Sequence, residues 1–399
     1  MTLNKSSQLV LAAAASLLAA SLLAACGSTL TTDFVFVASS RAAGVNNYGE
    51  LDVFEVNSES GHMRQIPTSP FPSGGRNPVA EAVSTDHNNL YVVNRDDNTI
   101  VQFVIGNDGK LYPTSTVNTP GVFPIAVAVA GSNLFVADTY QPLPTCSPAA
   151  PCSGSIGVFN IAPSSKSVAG GGLTEVTNGA LTYWPLALPS SPGHVLMPAA
   201  IAANGSALYV AAYDTSVTPH SGYLFAFATA SNGALSALNG GVPYPAGVQP
   251  SAIAVDPSGA NLYLTDYITG SVLPFAISAG GLTPGVQVST GDQPSALAVD
   301  ATGKYVFVTN SLDSTLQVYS ASAGVLKSLG VYATGSQPVA VGVDPSTNQY
   351  IYTANFLGNN VSGFAMTAGS STLLNSQNSP YLANAQPTAV AAIPHGSKK

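Results

Sequence analysis

Pro250-Ser-Ala-Ile-Ala-Val-Asp256, Pro294-Ser-Ala-Leu-Ala-Val-Asp300 and Pro338-Val-Ala-Val-Gly-Val-Asp344 superimpose without a gap, and their leading prolines stand 44 residues apart. A strand-rich period of about 40–50 residues is that of propeller blades, four-stranded sheets that bury their faces only by stacking around a channel. Earlier copies begin at Pro78, Pro124 and Pro198 once insertions are allowed. Pro387-Thr-Ala-Val-Ala-Ala-Ile393 begins a unit that nothing completes, whereas Phe34-Val-Phe-Val37 is a second strand that no first strand precedes. The two fragments fit each other. The expectation is an all-β, seven-bladed propeller whose last strand closes the ring on the first blade, leaving no open sheet edge.

Within a unit the order of elements is readable. Ala252 and Ala254 alternate with Ile253 and Val255, which predicts an inner strand with small side chains on one face. Asp256-Pro-Ser-Gly259 is a turn, Leu262–Asp266 a second strand, Val272–Ile277 a third, and Gly285–Ser289 a weaker fourth. Gly and Pro interrupt every longer stretch, so helices are not expected.

The second strands Tyr91-Val-Val-Asn94, Tyr263-Leu-Thr-Asp266, Phe307-Val-Thr-Asn310 and Tyr352-Thr-Ala-Asn355 resemble the Tyr-Val-Thr-Asn repeats of a propeller family. Its wider group contains seven-bladed lactonases similar to 6-phosphogluconolactonase. The resemblance covers the chain as a fold and implies a lactone hydrolase. The motif itself is structural: its closing Asn or Asp is expected to bond the following turn. No His-Arg-Glu set can be carried over from the propeller lactonases onto positions of this chain.

Residues 1–25 have the pattern of an export signal, with Lys5 before the apolar run Leu9–Ala25. Leu23-Ala-Ala-Cys26 resembles a bacterial lipobox, so Cys26 is the expected lipidation site, and residues 26–32 a linker. Residues 33–394 would then form a single propeller and 395–399 a tail, the whole being an envelope-anchored, monomeric lipoprotein, with Gly27 after the Cys pointing to the outer membrane. In an exported chain Cys146 and Cys152 are expected to pair as a disulfide.

Only 8% of residues are charged, far below the ~25% of ordinary domains, and the formal net charge is −8. So few cations exclude nucleic-acid binding. No hydrolase elbow, zincin motif or calcium loop is present, so neither a metal nor a cofactor is expected.

Departures from the 44-residue unit locate the site. Insertions fall at 39–49, 139–155, 178–197 and 213–222, either after a second strand or between blades. In a propeller these loops emerge on one face, and loops on a rigid scaffold are where binding concentrates. The ligand-binding face is expected to comprise Arg41, Tyr48, Arg76, Arg95, Tyr140, Tyr183, Trp184, His194, Tyr213, Asp214 and His220, ringed by Gln249, Gln293, Gln337 and Gln386. Glu81 stands where the other blades place Val127, Ile201, Ile253, Leu297, Val341 and Val390. A carboxyl there should lie between blades with a raised pKa unless Arg76 or Arg95 pairs with it. Glu81 and His194 are the candidate catalytic residues. With cations scarce and no lactonase motif transferable, the favoured reading is a non-catalytic module binding a glycan, peptide or protein. A ring-ester hydrolase and a structural envelope protein are the alternatives.

Overall fold

The computed structural model describes residues 31–40, 48–163, 170–279, 281–367 and 371–395; the expected export signal, Cys26 and Arg41 lie outside the described residues. The fold is the expected all-β propeller of seven antiparallel sheets. Blade one is formed by both termini: Thr31–Ser39 pairs on one side with Glu50–Asn57 and on the other with Pro387–Pro394, placing Val390 opposite Val37. The inner strands of blades two to seven are Pro78–Val83, Val122–Ala130, Leu196–Asn204, Pro250–Val255, Pro294–Val299 and Pro338–Val343.

Period-two alternation of the inner strands feeds two different cores. Ile253 and Val255 pack with Tyr209 and Ala211 of blade four. Ala252 and Ala254 pack with Val306 and Val308 of blade six. Small residues on one face let adjacent inner strands approach where the ring is narrowest, and each interface is a dry layer of Val, Leu, Phe and Tyr. A side-chain latch recurs at the axis: Ser251 Oγ donates to Pro294 O (2.6 Å), Ser295 Oγ to Pro338 O (2.6 Å), and Thr388 Oγ1 to Pro78 O (2.8 Å). The ring-closing strand is therefore locked to blade two by the same bond used between internal blades.

The second-strand Asp266 accepts from the N–H of Ile268 (3.0 Å) and of Val248 (2.6 Å), so it ties its own turn to the preceding inter-blade loop. The weak fourth strand differs from the expectation. In blade five it is split into Gly281–Pro284 and Val288–Ser289, both on Ser271–Ser278. Exposed outer edges need no continuous pairing, and Pro284 removes a donor there.

Cys146 and Cys152 are bonded, with Cα atoms 5.4 Å apart, inside the insertion of blade three. Closing this short loop is worth about 2 kcal/mol in the chain-entropy estimate. Cys146→Ser should lower the free energy of unfolding by that amount under oxidising conditions, read from denaturant titration; an unchanged free energy would show that the bridge does not constrain the unfolded chain.

Candidate functional site

Because strands alternate in direction, the loops joining second to third strands and those joining blades share one end of the disc. The elaborated loops of blades three and four meet there. Ser153 Oγ donates to His194 O (3.0 Å), Leu196 N–H donates to Ser153 Oγ (3.0 Å), and Gly154 N–H donates to Leu196 O (2.8 Å), binding the two insertions of blade three together. In blades three and four the inner hairpin also continues past the usual proline. Tyr140 pairs with Val122, Tyr213 with Met197, and Asp214 with Leu196. These two hairpins rise above the mouth and carry side chains that shorter blades cannot place there.

His194 and Asp214 form the site's chemical pair. Nδ1 of His194 is hydrogen-bonded to Oδ2 of Asp214, whose side chain is 1% exposed against 35% for His194. Asp214 also accepts from the Ser216 N–H (2.8 Å). Burial pushes its carboxyl up, but the bonds from His194 and Ser216 outweigh this and hold it below the usual carboxylate range. A buried carboxylate on Nδ1–H fixes the tautomer with Nε2 as the free acceptor, the arrangement of an oriented general base.

Beside this pair runs an aromatic arc spanning three blades. The Arg95 guanidinium lies over the Phe123 ring, 5.4 Å from its centre. Phe123 meets Tyr140 edge-on at 6.2 Å, and Tyr213 stacks on His220 at 5.3 Å. Burial, with the nearby Tyr140 phenol, raises the Tyr213 pKa. Beneath the arc, Asp138 accepts from the Gly121 N–H (3.0 Å), and burial pushes its carboxyl up to about 7. A Cβ on Gly121 would lie 2.4 Å from Asp138 Cβ, so only glycine permits this approach.

Several expected site residues fall elsewhere. Trp184 and Tyr183 are each 7% exposed; Trp184 joins the core between blades three and four and donates from Nε1 to Leu235 O (3.1 Å). The short strand Trp184–Pro185 pairs with Ser155–Ile156, which turns the indole inward, so neither ring offers a ligand surface. Arg76 is spent on Asp97, with Nε donating to Oδ1 (2.7 Å) and Nη2 within 2.5 Å of it. Tyr48 lies exposed close to Arg76. Gln249, Gln293, Gln337 and Gln386 are half-exposed at the mouth end of their blades.

Glu81 is half-buried, with its carboxyl enclosed between blades one and two as expected, and its pKa is pushed up to about 8 by burial, partly offset by the Ala391 backbone N–H. The expected cation partners are wrong: Arg76 and Arg95 occupy the mouth, roughly 10 Å above it at about 3.3 Å per strand residue. Neither carboxyl oxygen of Glu81 is accessible to solvent. A group sealed this way contacts no substrate, so His194 is the better of the two catalytic candidates.

Phe123 and Asp138 escaped the sequence reading. A signal existed for Phe123, which with Met197 interrupts the Asn and Gln residues preceding the other blade prolines. On the opposite end of the disc a cleft of about 630 Å³ is lined by Ser84, Thr85, Asp86, Asn89 and Asn160 among others, with no His or cation in its wall. Among the described residues, no group of His, Cys, Asp and Glu is arranged to hold a metal, and no helix is long and apolar enough to cross a membrane.

The family described as "Lactonase, 7-bladed beta-propeller" matches residues 45–141 and 278–392, more than half of the chain. A putative 6-phosphogluconolactonase from Bacteroides fragilis is similar over 92% of this chain and 99% of its own, at 18% identity and a TM-score of 0.68. The periplasmic gluconolactonase of Pseudomonas aeruginosa is similar over 91% of this chain and 99% of its own, at 18% identity and a TM-score of 0.68. Apo AztD from Citrobacter koseri is similar over 93% and 100%, at 12% identity and a TM-score of 0.56. At such identities these structures establish the fold alone. No curated protein sequence matches. The family match overturns the expectation of a non-catalytic binding module in favour of the lactonase-like alternative. The chain belongs to the lactonase family of seven-bladed β-propellers.

Proposed function

We propose that the protein is a lactonase-type hydrolase of uncharged ring esters, with the reaction at the elaborated mouth. The observation that carries this reading is the His194–Asp214 pair, a half-exposed imidazole oriented by a buried carboxylate. His194 Nε2 takes a proton from water as the water oxygen attacks the lactone carbonyl. The ring C–O bond then breaks, and the departing alkoxide recovers the proton from the imidazolium to give a hydroxy acid. Asp214 holds the Nδ1–H throughout.

Charge supports the substrate class. Among the described residues Arg95 is the cation at this end outside an ion pair, whereas Glu50, Asp96, Asp292 and Asp313 stand at strand ends and loops of the same end. A phosphorylated lactone would meet repulsion and a single guanidinium, whereas a neutral lactone meets aromatic rings and hydrogen-bonding groups. Titrating acid release by the purified protein on glucono-lactone and its 6-phosphate, with spontaneous opening subtracted, tests this. The neutral lactone should be favoured at least ~10-fold, the size of a ~1.4 kcal/mol preference. Hydrolysis of neither would overturn the activity, and preference for the phosphate would overturn the substrate class.

The apolar segment ending in Leu23-Ala-Ala-Cys26 supports an exported, lipid-anchored form. In this proposal Cys26→Ser moves the protein from the membrane to the soluble fraction.

A further inference from the structure

The residue before the blade proline is left-handed in five blades: Asn77 (φ 55°), Phe123 (φ 55°), Gln293 (φ 55°), Gln337 (φ 53°) and Gln386 (φ 62°). The conformation belongs to the scaffold of these five blades, where the chain turns to start the inner strand. Asn and polar side chains tolerate that region; a bulky Phe does so rarely. Phe123 is nonetheless held in place from both sides. Its N–H donates to Asn98 Oδ1 (2.7 Å), and its carbonyl accepts from Thr139 Oγ1 (2.6 Å). Strain over-determined by its surroundings points to a role for the side chain rather than for the backbone.

That side chain does not fill the core: its residue is half-exposed and belongs to none of the inter-blade clusters. It contacts Tyr140 edge-on and supports the Arg95 guanidinium on its face. An amide there, as in five of the other six blades, would supply neither the apolar surface nor the cation platform.

We infer that Phe123, with Tyr140 and Arg95, forms a stacking subsite for the apolar C–H face of a neutral, hydroxylated ring, and so sets specificity at this mouth. The inference rests on the lactonase reading but can fail separately from it. The ring packs against Phe123 and Tyr140 beside the guanidinium, so that Arg95 donates to its oxygens, an orientation a linear or phosphorylated ligand does not reproduce.

Phe123→Gln is the decisive variant, because glutamine already occupies the equivalent position and φ in three blades. Its thermal midpoint should stay equal to or rise above that of the parent, kcat on glucono-lactone should stay within about twofold, and KM should rise at least ~10-fold. A KM within twofold of the parent, in a protein that does hydrolyse the lactone, overturns the subsite and leaves the hydrolase reading standing. If the parent hydrolyses no lactone, the hydrolase reading falls and the subsite is tested by calorimetric titration with methyl glucopyranoside. Binding by the parent that Phe123→Gln abolishes supports the subsite. Equal binding by both proteins, or binding by neither, overturns it.

Discussion

Glu81→Gln will flatten the dependence of stability on pH between about 5 and 8, with a relative gain on the order of 4 kcal/mol over the parent at the alkaline end. The Glu81 carboxyl ionises near its ordinary 4.5 when the chain is unfolded and at about 8 when it is folded. Between those values the folded chain holds a proton that the unfolded chain has released, so each pH unit upward favours unfolding by about 1.4 kcal/mol. The stabilisation is complete below 4.5 and is lost as pH rises to 8. Asp33, pushed to about 8 by burial with Asp344 beside it, and Asp138, pushed to about 7, act with the same sign. The parent should therefore lose stability steeply across this range, and Glu81→Gln should lose less. For a chain of this size the relative shift in thermal midpoint is roughly 5 °C. At pH 5 the glutamine variant can even be the weaker protein, since its buried NH₂ lacks an acceptor. The informative quantity is the slope. Parallel pH curves for the two proteins would show that Glu81 is ionised in the fold.

His194→Gln will reduce lactone hydrolysis by about 100- to 10,000-fold, the contribution usual for a positioned general base. The loss should fall on kcat, because glutamine keeps a hydrogen-bonding side chain at the mouth but takes no proton. Asp214→Asn should follow with a loss of about 100-fold, since an amide no longer selects the Nδ1–H tautomer. Asp214 is buried, so thermal midpoints must accompany the rates: a drop in kcat at an unchanged midpoint identifies orientation of His194 rather than damage to blade four. Rates within twofold of the parent for both variants would remove His194 from the chemistry. The same assays on Glu81→Gln should show activity close to that of the parent, because that carboxyl is sealed between blades.

The expectation for Trp184 went wrong for an instructive reason. The single Trp on a long insertion reads as a ligand platform, yet two residues of pairing with Ser155 and Ile156 turn its indole inward to meet Leu235 of the next blade. Arg76 and Arg95 were matched to Glu81 because they share a blade; Asp97 and Phe123 claimed them instead. The fourth strand of blade five was misplaced because outer edges carry little alternation to read. The position of the loops was legible, by contrast, since antiparallel strands allow only one end for each class of turn.

By itself the chain of letters determined the seven-fold repeat, the closing of the ring by its own ends, the face bearing the insertions and the anomaly at Glu81. All of these follow from local alternation, turn chemistry and a constant period. Only the folded molecule decided that His194 meets Asp214, that Phe123 carries Arg95, and that Trp184 is withdrawn. Those neighbours come from different turns or blades, and which side chains meet there is settled by packing geometry that leaves no local pattern.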